Sequence, residues 1–249
     1  MCSPAWRRII PLVLKAELHT HTCDDPCDRI PHTAKELVDR AAELGYHVLA
    51  VTLHDHLFDI APVRAYATQR GIVLVHGIEC TVEGRHVLLL NFSERAGTVK
   101  TFADLALLRS AEPSGLVIAP HPFYPLSMCV GSMLDQHAEL FDAVEINAMY
   151  TRWIDFNPRA RAWAAAHGKP LVGNGDIHRL AQLGTTYSLI DADANPESIC
   201  EAIRAGRVEV RTVPLPLARA LTLSSAIVAA SLIPTTRDIR SRRERSSKV

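Results

Sequence analysis

The sequence lacks both a net charge and a high content of aromatic residues. Its 249 residues include 27 basic and 27 acidic side chains, and only 6% are Phe, Trp or Tyr. The balanced charge argues against a general polyanion-binding protein, and the scarcity of aromatic residues disfavours a surface on which single-stranded nucleic acid stacks. Nucleic acid is therefore a less favoured partner than a small molecule.

Several motifs with known chemistries are also missing. The sequence has no Gly-rich phosphate loop of the Walker type, no G-x-G-x-x-G fingerprint and no G-x-S-x-G nucleophile elbow. These absences leave no candidate for nucleoside triphosphate or dinucleotide cofactors, or for serine acyl transfer. We find no export signal and no apolar run of about 20 residues that could span a membrane. We therefore expect a cytoplasmic chain whose six cysteines are reduced thiols, and its oligomeric state is not predictable.

The C-terminal part differs in composition from the rest. Residues 217–233 are apolar but interrupted by Arg219 and by Ser and Thr, and residues 237–248 are strongly basic. This composition predicts a terminal helix packed on the body of the protein, followed by a disordered tail.

Short apolar runs alternate with helical patterns over most of the chain, which is typical of βα units and of a parallel sheet or barrel. One helix is expected to begin after Thr33, because Thr33 and Glu36 have capping-box spacing. At two other helix starts, Asn157 and Asn195 each precede a proline and are expected to be the capping residues. The predicted strands are residues 12–18, 48–53, 72–78, 87–92, 116–119, 143–146, 171–172 and 187–190.

Histidine is abundant, with twelve residues, and many of them follow predicted strands. Carboxyl ends of parallel strands converge on one face of a sheet or barrel, so side chains at these positions are expected to meet. Imidazole and carboxylate ligands without thiolate indicate Zn, Mn or Fe. The side chains that end strands are His19, His21, His54, Asp55, His56, Glu79, His121, Glu145, Asn147, Asp176 and His178.

These motifs resemble those of the polymerase and histidinol phosphatase (PHP) superfamily. They occur in family order from about residue 12 to residue 213, as ELHTHT, GYHVLAVTLHDH, GIE, RHVLLL, APHP, VEIN and GNGDIH. The resemblance implies a distorted (β/α)7 barrel over residues 12–213, with residues 214–249 forming the apolar helix and the basic tail. It also implies hydrolysis of a phosphate ester at a trinuclear metal site, with a metal-bridging hydroxide as the nucleophile.

The resemblance further implies which residues bind the three metals. They are His19, His21 and Asp176 for the first metal, Glu79 as a bridge, His86 and His121 for the second, and His54 and His178 for the third. The third site also needs a residue from the loop CDDPCD, whose spacing departs from the family pattern. Asp25 is the expected ligand, and Asp24, Cys27 and Asp28 are the alternatives. Leu53 replaces an acid that is usual in the family, and whether Asp55 substitutes for it is open.

Other residues are assigned supporting roles. His178 or His56, or alternatively a metal-bound water, is expected to protonate the leaving oxygen, and Arg152 and Arg179 are candidates for binding phosphate. Asp176 lies near the expected nucleophile. Glu145 and Asn147 are expected to orient a ligating histidine. Two glycines, Gly173 and Gly175, are interpreted as letting the backbone approach the metals.

Three functions fit these features. The leading interpretation is hydrolysis of a small phosphomonoester or a nucleotide. An exonuclease or nucleotide-end trimming enzyme could use the same site, although it would need a basic path beside it. The third interpretation is a catalytically silent metal-binding or regulatory domain, for which the irregular CDDPCD loop and Leu53 are the support.

Overall fold

The computed structural model describes residues 13–231. Within this range the chain forms nine strands: β1 (Val13–Thr20), β2 (Val48–Val51), β3 (Val73–Val82), β4 (Arg85–Leu90), β5 (Leu116–Ala119), β6 (Ala143–Asn147), β7 (Leu171–Asn174), β8 (Thr186–Asp191) and β9 (Val208–Thr212). The α-helices in the same range are α1 (Ala34–Glu43), α2 (Ala61–Gln69), α3 (Phe102–Ala111), α4 (Met133–Gln136), α5 (Asn157–His167), α6 (Pro196–Arg204) and α7 (Leu217–Ser231). All eight predicted strands are present, and β9 was not predicted.

The strands form one mixed sheet in the order β7-β6-β5-β4-β3-β2-β1-β8-β9. Strands β1, β2 and β3 are parallel, as are β5, β6 and β7. Strand β4 is antiparallel to both of its neighbours, and β8 is antiparallel to β1 and β9. The chain reverses between β3 and β4 at Glu83 and Gly84, both of which have positive φ angles.

The sheet closes at one end because β1 changes its partner along its length. Val13 to Ala16 pair with β8, whereas Thr20 forms a parallel bridge with Ile177, just beyond β7. The N–H of Ile177 donates to the carbonyl of His19 at 3.0 Å, and the N–H of His21 donates to the carbonyl of Ile177 at 3.1 Å. Seven strands therefore enclose the centre at this end, which confirms the distorted barrel that the motifs imply.

The buried apolar side chains form three clusters that hold this barrel together. One cluster joins residues of β1, β2 and β5 to helix α6. The other two lie between the sheet and its helices, with α3 and α5 in one cluster and α1 and α2 in the other. The helices thus bury an apolar face on the sheet, and the loops at the closed end are left to carry polar side chains.

Two of the predicted helix caps are present. The hydroxyl of Thr33 accepts the N–H of Glu36 at 3.3 Å, and the Glu36 carboxylate accepts the N–H of Thr33 at 2.8 Å. Asn195 caps α6 by accepting the N–H of Ser198 at 2.9 Å. These local hydrogen bonds satisfy N–H groups that the first turn of a helix leaves without a partner.

The predicted cap at Asn157 is wrong. Helix α5 begins at Asn157 itself, after Phe156, and has no side-chain cap. The Asn157 side chain instead accepts the N–H of Asn147 and donates to the Asn147 carbonyl, both at 3.0 Å. A long-range partner has therefore displaced the local one, and it fixes α5 to the end of β6.

The interpretation of Gly173 and Gly175 is also wrong. A Cβ atom on Gly173 would lie 2.8 Å from the carbonyl oxygen of Tyr187 and 2.9 Å from Cγ1 of Val210. A Cβ atom on Gly175 would lie 2.2 Å from Cδ1 of Ile177. Both glycines therefore permit close packing of protein groups, and Gly173 lets β7 lie against the β8–β9 hairpin.

The apolar C-terminal segment forms α7, as expected, up to Ser231. Leu223 of this helix is buried, whereas Leu217 and Leu221 are exposed. The predicted basic tail and Leu12, the first residue of the predicted first strand, lie outside the described residues. Among the helices between residues 13 and 231, none combines the length and the hydropathy that crossing a membrane requires.

Candidate metal centre

Eight of the predicted ligands meet at the closed end of the barrel. We call them the histidine–carboxylate cluster: His19, His21, His54, Glu79, His86, His121, Asp176 and His178. The cluster draws on the ends of β1, β2, β5 and β7, on the middle of β3 and on the start of β4. Its members are buried or nearly so.

His86 joins the cluster because β4 runs in the opposite direction to β3. In the sequence His86 precedes its strand, whereas the other ligands end theirs. Since β4 is antiparallel to β3, with Thr81 opposite His86, its first residues lie at the same end of the barrel as the last residues of the parallel strands. The reversal of one strand therefore explains the position of this ligand.

Glu79 occupies the centre of the cluster, and its carboxylate oxygens face five imidazoles. Oε2 lies 3.2 Å from His19 Nε2, 3.4 Å from His21 Nε2 and 3.1 Å from His54 Nε2. Oε1 lies 2.8 Å from His86 Nδ1 and 3.4 Å from His121 Nε2. Each carboxylate oxygen thus faces a different group of imidazoles, as a bridging ligand would.

Asp176 is the second acid of the cluster and is held in a left-handed backbone conformation with φ +50°. Its Oδ1 lies 3.4 Å from His19 Nε2, 3.3 Å from His21 Nε2 and 3.3 Å from His178 Nδ1. Non-glycine residues with positive φ are uncommon, and such strained positions are frequent at functional sites. His121, also in the cluster, has φ +29°.

The cluster fits divalent metal ions better than it fits a network of hydrogen bonds. His21 Nε2, Glu79 Oε1 and Asp176 Oδ1 are buried and close to other polar atoms, yet none of them forms a hydrogen bond. Buried polar atoms are rarely left unsatisfied. Five overlapping sets of three His, Asp or Glu residues have ligand atoms within 4.8 Å of one another, and all of them use this region.

Glu145 orients two of the cluster histidines. Its Oε2 accepts from His19 Nδ1 at 2.9 Å and from the Asn174 side chain at 3.0 Å. Its Oε1 accepts from the N–H of His121 at 3.1 Å and from the Asn147 side chain at 2.8 Å. The hydrogen bond to Nδ1 leaves Nε2 of His19 directed at the cluster, which is the usual arrangement of a ligating histidine and its supporting carboxylate.

Two of the three acids of the CDDPCD loop, Asp25 and Asp28, lie beside the cluster and have different surroundings. Asp25 is buried, and its Oδ2 lies 2.9 Å from Nδ1 of both His21 and His54. Its Oδ1 accepts the N–H groups of Cys27 and Asp28. Asp28 is half-buried, and its Oδ2 lies 3.0 Å from His178 Nε2 and 3.8 Å from His54 Nδ1.

The charges of the cluster are coupled. Burial alone would lower the pKa of His19 and His178, but the surrounding carboxylates, of which Asp176 has the largest effect, together raise the pKa of both well above the usual value. Burial would raise the pKa of Glu79 and Asp176, but the surrounding imidazoles hold the pKa of both well below the usual value. Without metal, His19 and His178 therefore hold protons that compensate the buried carboxylates, and a divalent cation could replace those protons.

Several predicted site residues lie away from the cluster. His56 is exposed and lines a separate groove with Arg64. Arg152 is exposed, and neither it nor Arg179 lines the cavity beside the cluster. Asp24 is exposed, Leu53 is packed in the apolar core, and Asp55 accepts from the N–H of Thr81 and pairs with Lys100.

Some residues that support the cluster were not predicted. The Sγ of Cys129 lies 3.3 Å from His121 Nδ1. The Gln182 side chain accepts the N–H groups of His178 and Arg179 and donates to the carbonyl of Asp176. Cys129 lies in a loop and Gln182 ends a short 3-10 helix, Leu180–Gln182, and nothing in the sequence distinguishes either from other polar residues.

Residues 155–208 match the PHP-associated family model, and this segment contains Asp176 and His178. No curated protein matches the chain significantly.

The fold is shared with solved structures of low sequence identity. A two-domain protein from Bacteroides vulgatus that contains a predicted PHP-like metal-dependent phosphoesterase is 19% identical, with a TM-score of 0.63 over 85% of this chain and 68% of that one. PsfC from Pseudomonas syringae is 18% identical, with a TM-score of 0.58 over 89% and 99%. The lesion-specific endonuclease Q from Pyrococcus furiosus is 14% identical, with a TM-score of 0.54 over 86% and 66%.

The chain therefore has a PHP-type fold, which it shares with a protein that contains a predicted PHP-like metal-dependent phosphoesterase. The matching segment at residues 155–208 and this fold together confirm the PHP resemblance of the sequence motifs.

Proposed function

We propose that the protein is a metal-dependent phosphoesterase that acts on a small phosphorylated substrate. The observation that carries the proposal is the arrangement around Glu79, whose two carboxylate oxygens face five imidazoles within 3.4 Å. The unsatisfied buried atoms of His21, Glu79 and Asp176 support a role in binding cations. The fold supports the same class of reaction.

We assign the cluster to as many as three divalent ions, of which Zn, Mn and Fe suit the ligands. The ligands for the first ion are His19, His21 and Asp176, with Glu79 shared between the first and second. His86 and His121 complete the second. Such ions supply a water of lowered pKa and neutralise the charge of the phosphoryl group.

For the third ion we assign His54, His178 and Asp28. Asp25 already accepts hydrogen bonds from two imidazoles and three backbone N–H groups, so it serves better to orient His21 and His54. Asp28 faces His178 and lines the cavity. Its carboxylate is therefore placed to bind an ion that the solvent can also reach.

The surrounding residues prepare the cluster for this chemistry. Glu145 and Asp25 hold Nδ1 of His19 and His21, so that Nε2 of each ring points at Glu79 and Asp176. Gln182 fixes the turn that carries Asp176 and His178. Both nitrogens of His178 already face acidic residues, so we assign it as a ligand and not as the proton donor for the leaving oxygen.

An elemental analysis and a hydrolysis assay on one preparation test the proposal. We expect two or three metal ions per chain. The protein should hydrolyse a generic aryl phosphate in the presence of added Mn, and a chelator should abolish this hydrolysis. His19→Ala and Asp176→Ala should each lose metal and activity, whereas His47→Ala, which alters an exposed histidine, should retain both. Bound metal without hydrolysis of a monoester or a diester would instead support a silent metal-binding domain.

An exonuclease is the less favoured alternative. Endonuclease Q shares the fold, but the described residues that line the cavity of this chain include no Lys or Arg. A nucleic acid strand carries one phosphate per nucleotide, and proteins that bind it usually place basic side chains along its path.

A further inference from the structure

The cavity beside the histidine–carboxylate cluster has two contrasting walls. Its volume is about 420 Å³, and the cluster forms one wall. Tyr124, Leu126, Met128 and Met149 form the other, and they come from the loops that follow β5 and β6. A phosphate group bound at the cluster would thus direct the rest of its ester toward an apolar surface.

The second wall offers no charge to a substrate. The described residues that line the cavity include no Lys or Arg, so a second phosphate group would meet no cation there. Burying an anion against apolar side chains without a partner is strongly unfavourable. The wall therefore selects against bisphosphates.

The second wall and the neighbouring side chains of Asn147 and Gln182 also offer few hydrogen-bonding groups, because the protein already uses them. The Tyr124 hydroxyl donates to the carbonyl of Met149 at 3.2 Å. The Asn147 side chain donates to Glu145 and accepts the N–H of Met149. The Gln182 side chain accepts two N–H groups and donates to the carbonyl of Asp176. A sugar or another polyol would lose hydrogen bonds to water here without replacing them.

The size and composition of the wall suit a small apolar group. A volume of about 420 Å³ lies in the lower part of the usual range for ligand pockets, about 300–1,000 Å³. Two of the four residues are methionines, whose flexible thioethers adapt to apolar and aromatic surfaces. Leu126 is 55% exposed and lies at the mouth of the cavity.

From these features we propose that the preferred substrate is a monoester of one phosphate group with an uncharged, apolar leaving group, such as an aryl or arylalkyl alcohol. The proposal rests on the proposed phosphoesterase function, and it adds the substrate class. Leu126, Met128 and Met149 are the residues that determine this specificity.

The test compares esters whose leaving groups have similar reactivity. With the Mn-loaded protein, kcat/KM is measured for phenethyl phosphate, glycerol 3-phosphate and adenosine 3′,5′-bisphosphate. Phenethyl and glycerol esters both release an alkoxide, so a difference between them reports recognition and not chemical reactivity. We expect phenethyl phosphate to be preferred over each of the other two by about tenfold or more, which corresponds to one good apolar contact.

A charge at the mouth of the cavity should reverse part of this preference. Leu126→Arg should lower kcat/KM for phenethyl phosphate and raise it for the bisphosphate, because it supplies the missing cation. Leu107→Arg is the matched control, since Leu107 is 68% exposed and lies in α3, outside the cavity. Equal or better turnover of glycerol 3-phosphate, or of the bisphosphate, by the unchanged protein would overturn the proposed substrate class while leaving the phosphoesterase function standing.

A binding measurement separates this proposal from the phosphoesterase function. If no ester is hydrolysed, calorimetry with Mn-loaded protein compares phenethylphosphonate with 2-hydroxyethylphosphonate. Tighter binding of phenethylphosphonate would support the apolar wall although the proposed function had failed. Equal binding of the two phosphonates, or binding of neither, would overturn the inference about the wall.

Discussion

Replacing Glu145 with glutamine tests whether this buried acid holds the cluster in its binding geometry. Glu145 is fully buried and accepts four hydrogen bonds, two on each carboxylate oxygen. Glutamine has the same shape but only one accepting oxygen. In either orientation of its amide, the NH2 group faces two donors, either His19 and Asn174 or His121 and Asn147.

The magnitude follows from those two unsatisfied donors. A buried donor without a partner costs about 1–3 kcal/mol, so Glu145→Gln should lower the free energy of unfolding by about 2–6 kcal/mol. The asparagines cannot relieve the conflict by turning over, because Asn174 Oδ1 accepts the N–H of Leu18 and Asn147 Oδ1 accepts the N–H of Met149. His19 could do so by giving up its Nδ1 proton and keeping the one on Nε2, but that proton would face Glu79 and block metal binding.

The variant must therefore lose stability, metal affinity or both. Urea unfolding of the metal-free protein gives the first quantity, and competition with a chelator gives the second, for which we expect a loss of about 10–100-fold. Glu139→Gln is the control, because it removes the same charge from an exposed position. Unfolding free energy within about 0.5 kcal/mol of the parent protein, together with unchanged metal affinity, would refute the role of Glu145.

Three further predictions concern other parts of the molecule. Asp28→Asn should remove about one metal ion per chain with little loss of stability. Asp25→Asn should instead lower the free energy of unfolding by about 2 kcal/mol or more, because five donors share its carboxylate. Elemental analysis and urea unfolding measure the two effects, and the opposite pattern would contradict the assignment. Gly173→Ala should destabilise the fold by about 1–3 kcal/mol in the same unfolding assay, because its Cβ would lie 2.8 Å from a carbonyl oxygen. Gly97→Ala should have little effect, because a Cβ at this position would have no non-neighbouring atom within 4 Å. Metal binding should release protons, and metal affinity should weaken as the pH falls, because the pKa of His19 is raised in the metal-free protein. Calorimetry in buffers of different ionisation enthalpy measures the number of protons released. A metal affinity that did not change between about pH 6 and 8 would contradict this prediction.

The residues that the sequence could predict share one simple property. His19, His54, Glu79, His121 and Asp176 each follow an apolar run, and parallel strands bring such positions to one end of a barrel. Their meeting point follows from the direction of each strand and the residue that ends it. These residues do meet here because β1, β2, β3, β5, β6 and β7 run in parallel groups.

The features that the sequence did not predict depend on contacts between distant segments. Asn157 has the sequence context of a helix cap, but Asn147 competes for its side chain. Gly173 was associated with the metals because it lies near Asp176, yet its small size serves the packing of β7 against Val210. Strand β9, which contains Val210, was not predicted, although its sequence VEVRT alternates apolar and polar residues as a strand with one exposed face does.

The reversal of β4 shows how the local pattern and the fold combine at the site. A fully parallel barrel would offer ligands only from residues that follow strands, and His86 would then lie at the opposite end from Glu79. The tight turn at Glu83 and Gly84 makes β4 antiparallel to β3. The beginning of β4 therefore lies beside the ends of the parallel strands and supplies a ligand there. The carbonyl of Met128 accepts the N–H of His86 at 2.8 Å, and the Met128 side chain lines the apolar wall of the cavity. The same strand reversal therefore couples one histidine of the cluster to the loop that we propose selects the substrate, and a change in that loop should alter both metal retention at His86 and substrate preference.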